Sequence, residues 1–558
     1  MLSTQVKFFS FEWPKLTVWL VATCLLLLLL ITPIFSLFIA SLQADDGIFS
    51  HLMNTVLSTY VINTVLLVFS VCLLSLLIGL PAAWLMAMCD FKSKRFWSWA
   101  MILPLAMPAY VVAYVYTDLF DYAGPIQIAL RDWFQWQTAR DYWFPDIRTL
   151  GGAAIVLALV LYPYVYLLLR SAFSSQSISQ LQSSRILGDS AWQSFYKISL
   201  PQARGVIVAA LALIAMETMA DFATVHYFAV NTLTTAIYDT WLGYYNLSAA
   251  ARLSVLMLVF IALFLFIEKA NRKQVKSYSR SDTFNQGALY TLNTKQTVCA
   301  IIYMAIVFFL GFVLPAIILL DYGVVYFAQA WNQAFIDYSL KSLMIAALVA
   351  GVCLLVGLVA NFAARQQYEN TLAQAPGQAM AAGYALPGTV LAIAVLIPLT
   401  QFESLSNRWL NDWIGYTPGL FLSGTLFAIV FAYVVRFSAI TLGAVREAQA
   451  KISPNLDKAS LTMGVGFSRT MQKIHMPLLT KALLSSSLLV FIEAMKELPA
   501  ALLLRPFGFE TLATYVYQYV SDEQLEHASL AAITIVVVGL IPLIFINNFA
   551  THDKNNSA

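Results

Sequence analysis

QSSRILGDSAWQSFYKISLP at 182–201 and KASLTMGVGFSRTMQKIHMP at 458–477 place the same residue types at the same spacing. Gly188 answers to Gly464, Ile198 to Ile474, Leu200 to Met476 and Pro201 to Pro477, always 276 positions apart. The offset persists at Arg170 and Arg446, at Glu217 and Glu493, and at Asp221 and Glu497. It then becomes 278 at Gly79 and Gly357, and 279 at Pro108 and Pro387. A register kept over this much chain means one unit used twice.

The repeated unit is a membrane one. Hydrophobic residues make up 60% of the 558 and charged residues only 11%, with a mean hydropathy of +0.74, beyond the range of soluble domains. A bilayer core of ~30 Å takes about 20 apolar residues per helix. Runs of that length fall near 16–41, 57–88, 96–118, 152–173, 205–229, 248–268, 297–320, 339–363, 378–401, 418–445, 479–503 and 526–549. The expected fold is therefore an all-α integral membrane protein with about 12 transmembrane helices in two parallel six-helix repeats. The first half is 1–270, a cytoplasmic linker 271–296, and the second half 297–558. An even number of spans sends both halves into the membrane in the same sense, with a translocation path between them.

The first apolar run, Leu16 to Leu42, is too long for a signal-peptide core and is expected to stay as a span. The net charge of +3 is too small and too scattered for nucleic acid binding. Cys24, Cys72, Cys89, Cys299 and Cys353 form no CxxC pair and read as packing residues rather than disulfides or a thiolate metal site.

Basic residues fix orientation. Lys92, Lys94 and Arg95 follow the second span, Arg185, Lys197 and Arg204 the fourth, and Arg272, Lys273, Lys276 and Arg280 the sixth. Arg365 follows the eighth, and Arg446, Lys451, Lys458, Arg469 and Lys473 the tenth, whereas 43–56, 230–247 and 322–338 lack Lys and Arg. These loops, and with them both termini, are expected in the cytoplasm of a bacterial inner membrane. The long loop from Asp118 to Leu150 mixes Arg131, Arg140 and Arg148 with Asp121, Asp132, Asp141 and Asp146 and carries little weight.

The helix–Gly–nine residues–Ile-x-Leu/Met-Pro pattern resembles the EAA loop by which binding-protein-dependent ABC importer permeases dock on their ATPase subunits. Glycine supports a turn with φ > 0 between two short helices, and Pro201 and Pro477 suit the first turn of the following membrane helix. The docking residues expected by this resemblance are Gln182, Ser183, Ser184, Gly188, Ile198 and Pro201, with Lys458, Ala459, Ser460, Gly464, Ile474 and Pro477. The family's Glu-Ala-Ala opening is replaced by Gln182-Ser183-Ser184 and Lys458-Ala459-Ser460. The resemblance implies a type I ABC importer permease fold, two copies of an ABC ATPase and a periplasmic binding protein. No GxxxxGK[ST] loop occurs, so ATP belongs to the partner and no cofactor is expected on this chain.

Ionisable groups inside spans are costly and point to function. Glu217 and Asp221 in the fifth span, and Glu493 and Glu497 in the eleventh, are spaced i, i+4, which predicts that each pair shares a helix face. They are candidates to line a translocation pathway for a cation, with Glu217 and Glu493 as preferred metal contacts. The alternative is that Lys496 neutralises these acids in a buried ion pair that only fixes packing. His226 and His475 are isolated in sequence. Trp133, Phe134, Trp136, Tyr142, Trp143 and Phe144 are candidates for a binding-protein surface or for an interfacial aromatic belt.

MKELPAALLLRPFGFETLATYVY, METMADFATVHYFAVNTLTTAIY and AYVYTDLFDYAGPIQ look like ferric-iron importer permeases. Iron(III) is the cargo this implies. Thiamine, polyamine or another small solute remains open, as does an ion-gradient secondary transporter; a membrane enzyme lacks any catalytic motif.

Overall fold

The computed structural model describes residues 17–272, 290–368 and 370–541. Ten helices among them are long and apolar enough to cross a bilayer: Val18–Ser41, Leu57–Met88, Leu150–Ser174, Ala191–Ala220, Leu247–Ile267, Thr294–Val325, Gln333–Gln366, Gly388–Ile414, Leu426–Ala450 and Phe467–Lys496. A bent pair, Lys94–Ala106 with Ala109–Phe134, and the shorter Leu525–Ile541 fill the third and twelfth expected places. We number the spans first to twelfth in chain order. Most of the expected linker, including Lys273, Lys276 and Arg280, and the expected end of the last span at 542–549 lie outside the described residues.

The third span is not the straight helix expected at 96–118: its two parts meet at 91°. Met107, which precedes Pro108, is extended at φ −80, ψ 128, as the proline ring requires of its neighbour. Leu386, before Pro387, does the same in the second half at φ −78, ψ 121, and there too a 3-10 turn comes before the proline and a long helix after it.

Small local devices recur at the sequence offset. Thr149 caps the fourth span at Gly152 N, and Thr425 caps the tenth at Phe427 N. Thr232 and Thr511 each form a reciprocal capping pair with the Thr three residues on. A Cβ on Gly79 would lie 2.7 Å from Val165 Cβ, and a Cβ on Gly357 would lie 3.0 Å from Thr441 Cβ, so glycine lets the same pair of spans touch in each half. Three π turns, Phe195–Ser199, Phe309–Val313 and Met471–His475, are each followed by a proline two residues on: Pro201, Pro315 and Pro477. A proline inside a helix lacks an N–H and crowds the carbonyl four residues back; the wider π turn accommodates both defects.

That geometry corrects one expectation. Pro201 and Pro477 do not open their membrane helices. The fifth span begins ten residues earlier at Ala191 and the eleventh at Phe467, and both run through the proline.

Packing divides the described residues into two compact units. One is made by the described residues within Met1–Ser36, Leu343–Leu386 and Val395–Ala494; the other by those within Leu37–Ser342, Pro387–Ala394 and Met495–Ala558. In the first unit, Trp19 of the first span meets Phe362 of the eighth edge-on at 5.6 Å, and Thr23 Oγ1 donates to Val359 O at 3.4 Å. Trp19 joins a core made by Phe362, Val445, Ile452, Met471, Leu479 and Leu483. In the second unit the seventh span lies on first-half spans: Tyr303 OH donates to Ile78 O at 2.5 Å, and Tyr116 OH to Leu310 O at 2.6 Å. A two-residue parallel pairing of Cys89–Asp90 with Tyr290–Thr291 is the sole strand contact among the described residues.

Candidate docking feet and pathway carboxylates

The first foot is a helix, Ile178–Ile186, a turn at Gly188 and the start of the fifth span at Ala191. Gly188 has φ +97 and Gly464 φ +76, with nothing within 4 Å of a Cβ at either. The glycine is needed for its left-handed backbone, not for space. Asp189 fastens the turn. Its carboxylate accepts from Ser184 Oγ at 2.9 Å and Lys197 Nζ at 2.6 Å, while Arg185 Nη1 donates to its carbonyl at 2.8 Å. The Lys197 and Ser184 hydrogen bonds hold the Asp189 carboxyl below the usual carboxylate range. Ile186 and Leu187 project from the turn at 85% and 86% exposure, with Trp192 beside them.

The second foot repeats the shape with different chemistry. Helix Pro454–Thr462 is capped by Ser453, and Ser460 Oγ and Thr470 Oγ1 lie 2.6 Å apart across the turn. Met463 stands 80% exposed where Leu187 does in the first foot. Position 465, matching Asp189, is Val. The fastening moves instead to Asp457, which matches buried Leu181. Asp457 Oδ2 accepts from Arg365 Nε at 2.7 Å, and Oδ1 lies 2.6 Å from Nε2 of fully buried His475. Arg365 also donates to Ile452 O at 2.9 Å and Gln449 O at 3.3 Å. One guanidinium thus ties the end of the eighth span to the end of the tenth and to the foot helix.

Sequence reasoning missed Arg365–Asp457–His475. Arg365 and Asp457 are 92 residues apart, so no local spacing announces them. Asp457 sits one residue before the position where the resemblance placed a glutamate, and it faces inward. It also missed Glu403, a fully buried carboxylate that accepts from Ser423 N and Oγ and from Leu422 N.

The four intramembrane acids do not form two same-face pairs, which corrects the i, i+4 expectation. The fifth span ends at Ala220, and Asp221 accepts from Thr224 N at 3.0 Å, Val225 N at 3.3 Å and Thr224 Oγ1 at 2.9 Å, at the start of a short helix, Ala223–Tyr227. The eleventh ends at Lys496, and Glu497 accepts from Ala500 N at 3.3 Å in the next short helix, Pro499–Leu504. Each second acid satisfies backbone donors where a span breaks. Pro499, which cannot continue a helix, adds to the second break. Glu217 and Glu493 stay on their spans, both half-buried. Lys496 Nζ donates to Leu105 O at 3.3 Å.

Among the described residues no three His, Cys, Asp or Glu side chains converge to hold a metal ion. His226 Nδ1 is 2.9 Å from Tyr517 OH. In the long loop Trp136 stacks on Phe134 and on Tyr142, both at 4.7 Å, while Trp133 and Trp143 remain more than four-fifths exposed.

Comparison with known proteins identifies relatives of the chain. The chain is 24% identical over 500 residues, 88% of its length and 89% of the relative's, to the Fe(3+)-transport system permease protein FbpB 2 of Haemophilus influenzae. It is 24% identical over 468 residues, 80% of its length and 64% of the relative's, to the ferric transport system permease protein FbpB of Actinobacillus pleuropneumoniae. It is also 27% identical over 203 residues, 35% of its length and 85% of the relative's, to the molybdenum transport system permease protein ModB of Escherichia coli K12. The family model described as binding-protein-dependent transport system inner membrane component matches residues 75–277 and again 378–552, one match on each foot and together more than half of the chain. The chain therefore belongs to the binding-protein-dependent transport system inner membrane components, as a multi-span permease carrying the family's unit twice.

Proposed function

We propose that this permease carries iron(III) across the inner membrane, received from a periplasmic binding protein and driven by two ATPase subunits, one on each foot. The observation that carries the cargo assignment is the likeness to an Fe(3+)-transport permease along 88% of the chain, including both feet. The feet, and both termini with them, lie in the cytoplasm. ATP is bound and hydrolysed on the partner subunits, and this chain holds no cofactor.

The exposed apolar side chains Ile186, Leu187 and Trp192 on one foot, and Met463 and Leu461 on the other, supply the contact with the motor. Gln182, Ser183 and Ser184, with Lys458, Ala459 and Ser460, form the foot helices, while Ile198, Pro201, Ile474 and Pro477 join each foot rigidly to a span. Movement of a foot is transmitted directly, because each span starts in the foot itself and runs unbroken to Ala220 or Lys496. At those far ends the helix breaks, and Glu217 and Glu493 stand within the last turn before each break. There they line the route as hard oxygen contacts for a passing trivalent ion; Asp221 and Glu497 keep the breaks in place beside it. Trp133 and Trp143 form part of the surface for the binding protein.

A second cargo class has one observation in its favour, the stretch similar to a molybdenum permease. Isotope uptake by cells with and without this chain, run with iron(III), molybdate, thiamine and a polyamine, separates them. Loss of iron uptake alone is the expected result; unchanged iron uptake in the deletion strain refutes the cargo.

A further inference from the structure

Between the second, fifth and sixth spans lies a groove of about 440 Å³, the size of a small-molecule site. Val61, Val65 and Cys72 line it from the second span, Leu211 and Ala215 from the fifth, and Phe264 from the sixth. From Val61 to Cys72 it extends about 16 Å along the helix axis. Every lining side chain is apolar except Thr64 and Cys72, and both are engaged. Thr64 Oγ1 donates to Tyr60 O and accepts from Leu233 N, and Cys72 Sγ donates to Leu211 O. A water-soluble ligand would find no polar partner here, whereas a hydrocarbon chain would need none.

The groove turns away from the proposed route. At about 100° per residue, Val208, Leu211, Ala212, Ala215 and Met219 of the fifth span share an arc about 100° wide, and Glu217 falls on the opposite side of the helix. Val65 and Phe69, on the groove side of the second span, are exposed at membrane depth. Arg204 lies in the same arc, one turn below Val208 toward the first foot. It is exposed, and no described residue pairs with it. A slender apolar slot with a cation at one end, in a helix that crosses a bilayer, has the complementarity of a single acyl chain with an anionic head.

We infer that this groove is a binding site for an anionic phospholipid of the leaflet on the foot side, one acyl chain lying between the second, fifth and sixth spans and the headgroup phosphate on Arg204. The site is independent of the cargo. It gives the fifth span, which joins foot to pathway, a lipid-backed outer face.

The test is native mass spectrometry of the purified full chain, titrated with phosphatidylglycerol and phosphatidylcholine of identical acyl chains. A single arginine near a headgroup is worth about 1 kcal/mol, so the wild type should prefer phosphatidylglycerol by about fivefold. Arg204→Gln should lose that preference while still binding both lipids. Val65→Trp, which fills the groove from its exposed side, should hold one lipid fewer of either kind while remaining monodisperse. Inorganic phosphate should displace neither lipid. No preference in the wild type, a preference surviving in Arg204→Gln, or an unchanged lipid count in Val65→Trp overturns the site, and displacement by phosphate would make it a plain anion site.

Discussion

Replacing Asp457 with Ala removes the one acceptor that Arg365 and His475 share. Arg365 is 9% and His475 0% exposed at the side chain, so the guanidinium is left without its counter-ion in a place water hardly reaches. Breaking a buried ion pair by removing one partner costs about 3–5 kcal/mol. The Gln449 and Ile452 carbonyls continue to hold Arg365, and Asp457 is itself 17% exposed, which favours the lower end, about 3 kcal/mol. That energy is lost by the second foot alone, because the matching position in the first is Leu181. Hydrogen exchange of the purified chain reads it directly. Amides in 454–477 should lose about a hundredfold of their protection, while those in 178–201 stay as they were. Asp457→Asn, which keeps an acceptor for Arg365, should lose less. If 454–477 in Asp457→Ala exchanges within twofold of the wild type, or both feet loosen equally, the triad does not fasten the second foot.

Other outcomes follow from the same geometry. Gly188→Val and Gly464→Val force a β-branched residue into a left-handed turn at a cost of about 1–2 kcal/mol each; the expected result is reduced ATPase recovery with the permease, measured by co-purification, at unchanged membrane expression. Gly79→Leu pushes against Val165 and should destabilise the chain by about 1–3 kcal/mol in a detergent melting assay. The Asp189 carboxyl is held below its ordinary range, so its contribution to the first foot is complete above that range and vanishes only as pH falls through the lowered value; protease protection of 182–201 should fall there in the wild type and show no such step in Asp189→Asn. Glu217→Gln with Glu493→Gln should lower uptake at least tenfold with normal assembly; normal uptake removes both from the pathway.

The repeat was legible because its marks are local. Gly188 and Gly464 need a special backbone, and Pro108 and Pro387 recur at nearly the same offset, so spacing alone exposes them. The span count was legible because the bilayer sets helix length. What stayed hidden depends on contacts between distant segments. The first span is apolar on every side, and nothing in it announces that Trp19 packs on Phe362. The π turns before Pro201 and Pro477 carry no residue signature beyond the proline, which by itself suggests a helix start. The i, i+4 spacing of Glu217 with Asp221 assumed a helix that continues, and the break is visible only once Asp221 is seen receiving the Thr224 and Val225 amides.

The account stands on two exposed turns, each touching an ATPase subunit. Single cysteines at Leu187 and at Met463, in chains whose five native cysteines are replaced, can be cross-linked to the co-expressed ATPase in membranes. Both positions should join to the ATPase, and adding ATP should change the yield at both. Absence of a cross-link from both turns, or labelling of either by a thiol reagent confined to the periplasm, would contradict it.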